Sequence, residues 1–242
     1  FKLIGTAVKN VDGFKIATGK PLFGLDYMEE GAAIAMLIHA PAFGMQLKSF
    51  DAAEAKGMPG IKEVFTINTS LEKPSWADVN AFNELIVVVG DSTWQVMQAK
   101  KAVKAEWERV SAAESSAAHL EQFASVFSKG KGDVARQDGD PDAAFANADT
   151  VIERTYFGSF LAHNTLEPMN FFADVKADSA RLIGPIQTPE ALRGSVAAML
   201  NIPEDKIHVD MTRMGGGFGR RLYGNFGLEA AAISQKIGAP VK

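Results

Sequence analysis

The chain has 242 residues, 47% of them hydrophobic and 22% charged, an ordinary soluble globular composition with room for one large or two smaller domains. Its 25 basic and 29 acidic residues give a net charge of −4 with no extended basic run, which argues against sequence-independent nucleic-acid binding, and its apolar runs are too short and interrupted to span a bilayer. With no cysteine, the chain has no disulfide, no thiolate zinc site and no cysteine-ligated iron–sulfur cluster, and its histidines (His39, His119, His163, His208) are too far apart in sequence for an H-x-x-x-H metal pair.

Taken in chain order, residues 33–38 (AIAMLI) read as a short apolar strand. Asp51 and Glu54 have the spacing of a capping box for a short helix. After the turn at Met58, Pro59 and Gly60, residues 61–67 alternate like a strand, and residues 85–89 (LIVVV) form a strand buried on both faces. Asp91 and Ser92 offer N-caps for a helix to about residue 102, followed by a strand through Val103, Ala105 and Trp107. The small, polar stretch 111–118 and the Gly- and Asp-rich stretch 130–141 read as linkers around a helix at 119–128. The expected organisation is therefore a domain over 1–110, a linker over 111–138 and a second domain over 139–242. The second domain opens with a helix at 142–148 and strands at 150–157, 171–175 and 181–186.

Thr188 suits an N-cap and Pro189 the first helical position, and Leu192, Val196, Met199 and Leu200 share one face. Asn201 and Pro203 end that helix, and Ile207, Val209 and Met211 alternate as a strand. The segment RMGGGFGRRLYGN (213–225) follows, with a second helix starting near Gly224 or Asn225. A helix of about 12 residues runs about 18 Å from Gln187, and a strand of about 6 residues returns about 20 Å. Gln187 and the 215–219 loop should thus lie at one end of the domain, with two helix N-termini directed there. Such a place favours an anion, glycine lets a flat ligand touch backbone, and Arg220 and Arg221 add charged donors. The bland alternatives are a purely structural turn, a solvated arginine pair and an ordinary loop glutamine. The loop is neither a Walker motif nor G-x-G-x-x-G.

These residues resemble a known family. The M-G-G-G-F-G of residues 214–219 resembles the molybdenum cofactor loop of the xanthine dehydrogenase/aldehyde oxidase family, and Gln187 precedes Phe218 by 31 residues, the spacing of that family's active-site glutamine. His163, Glu167 and Pro168 resemble its H-x-x-x-E-P stretch, residues 139–156 the start of its cofactor-binding domain, and residues 31–64 and 85–106 its α/β-hammerhead domain. Arg220, Arg221 and Leu222 resemble the isoquinoline 1-oxidoreductase beta-subunit branch, whereas purine-oxidising relatives carry glycine, lysine and glutamate there.

The resemblance implies an α+β fold, a hammerhead domain followed by the first part of the molybdenum cofactor-binding domain. It implies a molybdopterin cofactor, in the cytosine dinucleotide form, whose dithiolene holds the metal without protein ligands. The implied activity is hydroxylation of N-heterocyclic aromatics or aldehydes with water, electrons passing to an iron–sulfur small subunit, with no nucleic acid and no membrane span involved. Gln187 would be the catalytic hydrogen-bonding residue. Gly215, Gly216, Gly217, Phe218, Gly219 and Arg220 would join it in binding the cofactor, and Phe218 and Leu222 would wall the substrate pocket. The family's general-base glutamate has no counterpart here, and Glu167 sits in the wrong place for it and suits a turn-stabilising role. The chain thus reads as an N-terminal piece of a larger subunit, inactive and cofactor-free alone. A non-catalytic scaffold or assembly domain with the same fold is the alternative.

Overall fold

The computed structural model describes residues 1–242 other than 75, 77–81, 83, 113 and 131. The chain forms two compact units, residues 1–111 with 163–242, and residues 112–162.

The first unit opens with a short helix, α1 (Gly13–Ala17), and then places β1 (Ile34–Ile38), β2 (Met45–Asp51), α2 (Ala53–Lys56), β3 (Ile61–Asn68), β4 (Glu84–Gly90), α3 (Thr93–Ala102) and β5 (Lys104–Arg109). β4 is the central strand of an antiparallel sheet ordered β1-β4-β3, and β2 pairs with β5 as a separate ribbon. The continuous apolar run of β4 follows from this position. Leu85, Val87 and Val89 face one core, while Ile86 and Val88 face another shared with Val96 and Ala99 of α3. Ser92 caps α3 by accepting from the Gln95 N–H. The capping box expected at Asp51 and Glu54 is absent. α2 is only four residues long, and Asp51 instead accepts from Ala53 N–H (2.9 Å), a local turn that a short polar side chain makes without a full helix.

The second unit holds α4 (Ser116–Ser128), capped by Ser115, and α5 (Pro141–Ala146), capped by Asp140 with Pro141 at its first position. The strand expected at 150–157 does not form: residues 151–160 are exposed and have no regular structure. β-branched residues give that stretch strand propensity, but a ladder needs a neighbour, and no strand among the described residues pairs with it.

The first unit resumes with β6 (Phe172–Val175), β7 (Ala180–Gly184), α6 (Pro189–Leu200), β8 (Ile207–Met211) and α7 (Asn225–Ile237). β6 pairs antiparallel with β7, and β7 pairs parallel with β8 through the α6 crossover. β7 stops at Gly184 because Pro185 has no N–H for a ladder. Asn201 ends α6 in the left-handed region (φ 53°). Residues 240–242 join the two halves of this unit. Val241 exchanges backbone bonds with Ala173 (both 2.9 Å), while Ala33 N–H donates to Pro240 O (2.9 Å) and Ala35 N–H to Lys242 O (2.8 Å). Leu85, Val87 and Val89 consequently share one core with Phe171, Leu182, Val196, Phe226 and Ile233. Among the described residues no helix is long and apolar enough to cross a membrane.

An ion pair fixes the segment before β1 to β7. Arg181 donates to both Glu29 carboxylate oxygens (2.7 Å each) and to Tyr27 Oη (3.1 Å), with its guanidinium 5.4 Å from the Phe172 ring centroid. The Arg181 hydrogen bonds, then that of Tyr27, hold the Glu29 carboxyl below its ordinary value of 4.5. A carboxylate lowered in the folded state stabilises above its unfolded pKa, and the contribution disappears as pH falls through the lower folded value. The pair is about one-third exposed on each side, so Arg181→Met is expected to cost about 1 kcal/mol at pH 7. Denaturant midpoints of wild type and variant should converge as pH drops below the ordinary carboxylate range. A gap at low pH equal to that at pH 7 would contradict this account.

Candidate functional site

The end of β7 and the end of β8 open onto the same edge of the parallel pair, Gly184 lying opposite Met211. The chain leaving β7 reaches Gln187, and the chain leaving β8 enters the glycine loop. The loop is held at its start by Arg213 N–H to Leu22 O (3.0 Å) and by Arg213 Nη1 to Asp12 (3.1 Å). Gly216 and Gly219 take φ of 108° and 82°, conformations that suit glycine, and Phe218 between them takes φ 50°. A bulky non-glycine residue in that region costs on the order of 1–3 kcal/mol and persists only where its surroundings over-determine it. Phe218 is nevertheless 71% exposed, so its own packing does not account for the conformation.

The surroundings that do account for it lie beneath the loop. Glu167, 6% exposed, accepts from Gly215 N–H (2.7 Å) through Oε2, and from Leu25 N–H and Asn170 Nδ2 (3.1 Å each) through Oε1. Its own N–H donates to Gly215 O (3.2 Å). Arg221 is fully buried, with Nη2 3.2 Å from Glu167 Oε2. Its guanidinium also donates to the carbonyls of Gly216, Glu167 (3.0 Å) and Pro168 (3.2 Å). Burial pushes the Arg221 pKa down and Glu167 opposes that shift. Arg221 is therefore neither an outward-facing donor for an anion nor half of a solvated pair, the two roles its sequence context suggested. A buried carboxylate demands a counter-charge, and Arg221 is the cation ion-paired with it.

The structure brings Gln187 to the loop. Its N–H donates to Arg221 O (3.0 Å), and Oε1 lies 3.5 Å from where a Cβ on Gly217 would stand. The Gln187 side chain is exposed and has no hydrogen-bond partner among the described residues. His163 and Thr165 border the same backbone, 3.5 Å and 3.3 Å from the Cβ positions of Gly219 and Gly216. Thr188 does not cap α6 through its side chain. Its hydroxyl donates across to Leu222 O (2.8 Å), so the 187–188 and 221–222 segments are joined twice. Leu222 is half-buried and ends the short 3-10 turn Arg220–Leu222.

Arg220 turns away from the glycine backbone. Its Nη1 donates to Asn225 (2.9 Å) and its guanidinium is 5.5 Å from the Phe226 ring centroid. There it lines a cavity of about 750 Å³ with Glu229, His39, Lys100 and Phe226, whereas Gln187 and the 215–219 loop do not line it. Glu229 of α7 is 3% exposed and accepts from Asn225 Nδ2 (3.0 Å), with His39 Nε2 at 3.4 Å. Sequence reading missed this polar group; the charged residue within the apolar face of α7 was its only signal.

The edge thus presents backbone N–H groups at 216–219 without a partner among the described residues, an amide side chain with unused donors and an exposed aromatic ring. This suits a flat ligand that needs backbone contact more than side-chain charge. Among the described residues no cluster of three or more His, Cys, Asp or Glu could hold a metal ion directly.

Residues 126–242 match the family model of the molybdopterin cofactor-binding domain. Over its whole length the chain is 28% identical to a membrane-bound aldehyde dehydrogenase (pyrroloquinoline-quinone) of Gluconacetobacter polyoxogenes and 28% identical to the isoquinoline 1-oxidoreductase subunit beta of Brevundimonas diminuta. It spans 31% and 30% of these two relatives. The quinoline 2-oxidoreductase structure of Pseudomonas putida 86 superposes on 98% of the chain with a TM-score of 0.70 at 22% identity, over 34% of its own length. The matched stretch holds Gln187, the 215–219 loop and the β6-β7-β8 sheet, and the fold is α+β. The chain is a homologue of the large, molybdenum-binding subunits of the xanthine oxidase family, the isoquinoline 1-oxidoreductase beta subunit among them.

Proposed function

We propose that this chain is the hammerhead (1–110), linker (111–138) and cofactor-cradle (139–242) part of a larger molybdenum hydroxylase subunit. That subunit hydroxylates N-heterocyclic aromatics or aldehydes with water and hands the electrons to an iron–sulfur partner. The observation that carries this reading is the unpaired backbone N–H groups of 216–219 with the unpartnered Gln187 amide beside them, among the described residues. The names of the relatives, aldehyde- and N-heterocycle-oxidising enzymes, support the substrate class. The chain has no cysteine, so it would hold no cysteine-ligated cluster itself.

The residues that would hold the cofactor, in a cytosine dinucleotide form, are Gln187, Gly215, Gly216, Gly217, Phe218 and Gly219, with Arg220 behind the turn. When bound, it supplies two-electron oxidation with water as the oxygen source. The glycines admit it against backbone N–H groups, Gln187 orients an amide donor towards it, and Phe218 and Leu222 give the substrate an apolar wall. The proton-accepting glutamate of this reaction belongs to the remainder of the subunit. This chain alone is therefore expected to hold no molybdenum and turn nothing over. The test is to purify the full-length subunit with its partner and measure molybdenum, pterin and cytidine monophosphate per chain. Absence of molybdopterin would overturn the reading in favour of a non-catalytic scaffold.

Leu222 makes the substrate preference testable. Burying the polar edge of a purine against a leucine costs about 1–3 kcal/mol per unmade hydrogen bond. Sites built for such bonds discriminate strongly, and an apolar wall reverses the preference. The intact enzyme should therefore show at least about tenfold higher kcat/KM for isoquinoline or benzaldehyde than for hypoxanthine. Hypoxanthine as preferred substrate would show that Leu222 does not wall the pocket.

A further inference from the structure

The fully buried arginine under the loop has no part in the functional reading. Arg221 bonds through its guanidinium to Gly216, Glu167 and Pro168, and through its backbone carbonyl to Gln187. The next carbonyl, Leu222 O, takes the Thr188 hydroxyl. Three segments that are far apart in sequence (167–168, 187–188 and 215–216) therefore meet on one buried side chain and its adjoining backbone. Glu167 completes the arrangement by gripping Gly215 through both its backbone and its carboxylate.

We propose that Arg221 is a positioning residue, whose buried guanidinium, locked on Glu167, sets the spacing between the Gln187 amide and the 215–219 backbone and so preforms the edge that binds the cofactor. The proposal rests on the reading of that edge as a molybdopterin cradle. Three observations carry it. The charge is fully buried, yet a buried ion pair contributes little net stability beside an apolar pair of equal volume, so its effect lies in geometry. Every partner of the guanidinium belongs to the loop or to the stretch directly beneath it. Phe218 stands in the left-handed region without packing of its own to hold it there, while the backbone before it is held by Glu167 and Arg221 at Gly215 and Gly216.

The chemistry of the pair predicts which replacements fail. Both Glu167 oxygens accept backbone N–H groups, at Gly215 and Leu25. A glutamine would set its NH2 against one of those donors. At 221 a methionine removes every donor, whereas a lysine keeps the charge and some N–H groups.

The test uses the full-length subunit with R221M, R221K, E167Q and, as control, R181M, which breaks an ion pair at the far end of β7. Amide hydrogen exchange over 186–188 and 213–219 is read on cofactor-free protein, and molybdopterin content on protein as purified. Losing hydrogen bonds to a charged group should speed exchange in these two segments by about tenfold or more in R221M and E167Q. Molybdopterin content should fall with it, and R221K should recover part of both. R181M should lower the melting temperature while leaving loop exchange and cofactor content unchanged. Wild-type exchange at the loop in R221M, or equal acceleration there in R181M, would overturn the proposal. If R221M does not fold, E167Q carries the same decision: unchanged loop exchange in it overturns the proposal. A wild-type subunit without molybdopterin would defeat the cradle reading instead, and the exchange measurements would still decide whether Arg221 holds the edge.

Discussion

Replacing Gln187 with alanine in the full-length subunit should lower turnover by about 10²–10³-fold while leaving the cofactor content unchanged. The side chain is exposed, has no partner among the described residues and points its amide along the bare backbone of Gly217. The backbone bond to Arg221 anchors residue 187 beside the loop, so an amide donor at this position is within reach of charge that develops there. Because no packing depends on the side chain, its loss should not change the melting temperature. The decisive measurement is kcat at matched molybdenum loading. An unchanged rate would reduce Gln187 to an ordinary loop residue, and a loss of cofactor in proportion to rate would assign it to binding alone.

Gly215→Ala should be among the most damaging single methyl additions in the chain. A Cβ there would overlap the Glu167 Cβ and stand 3.1 Å from Oε2. The Glu167 Cβ cannot rotate away as the end of a long side chain could, so backbone must move. Overpacking of this kind costs about 1–3 kcal/mol, and loss of the Gly215 N–H bond to the carboxylate would add a comparable amount. Denaturant midpoints of the full-length subunit should fall accordingly, with the 213–219 loop losing protection first. Gly132→Ala, where the added methyl meets nothing, is the control. Equal stability of the two variants would mean that the contact between 167 and 215 is not held in solution.

Much of the frame was legible because it rests on local rules. The apolar run of β4 marked a strand buried on both faces, Ser92 and Pro189 marked the starts of α3 and α6, and the near-equal lengths of α6 and β8 brought Gln187 back to the glycine loop. What stayed hidden depends on partners distant in sequence. The threonine before Pro189 has the residue type of a cap, and only the folded chain shows Leu222 O claiming its hydroxyl. Two adjacent arginines read alike as letters; one is fully buried on Glu167 and the other leans on Phe226. The strand expected at 150–157 had the right residues and lacked only a neighbour. No periodicity could place Val241 between Ala33 and Ala173.

That last pairing has a kinetic consequence. The edge of β1 is closed by residues about two hundred positions later in the chain, with residues 112–162 intervening in sequence. Contacts this remote in sequence must pay loop-closure entropy before they return any energy, so they form late and slowly. During synthesis the β1-β4-β3 sheet is complete long before residues 240–242 exist, and until then its β1 edge stands unpaired. An open edge of this kind is a template for pairing with other chains. Expression at lower temperature, or with a holdase that masks strand edges, should therefore raise the soluble yield of this protein more than any single stabilising substitution in its core.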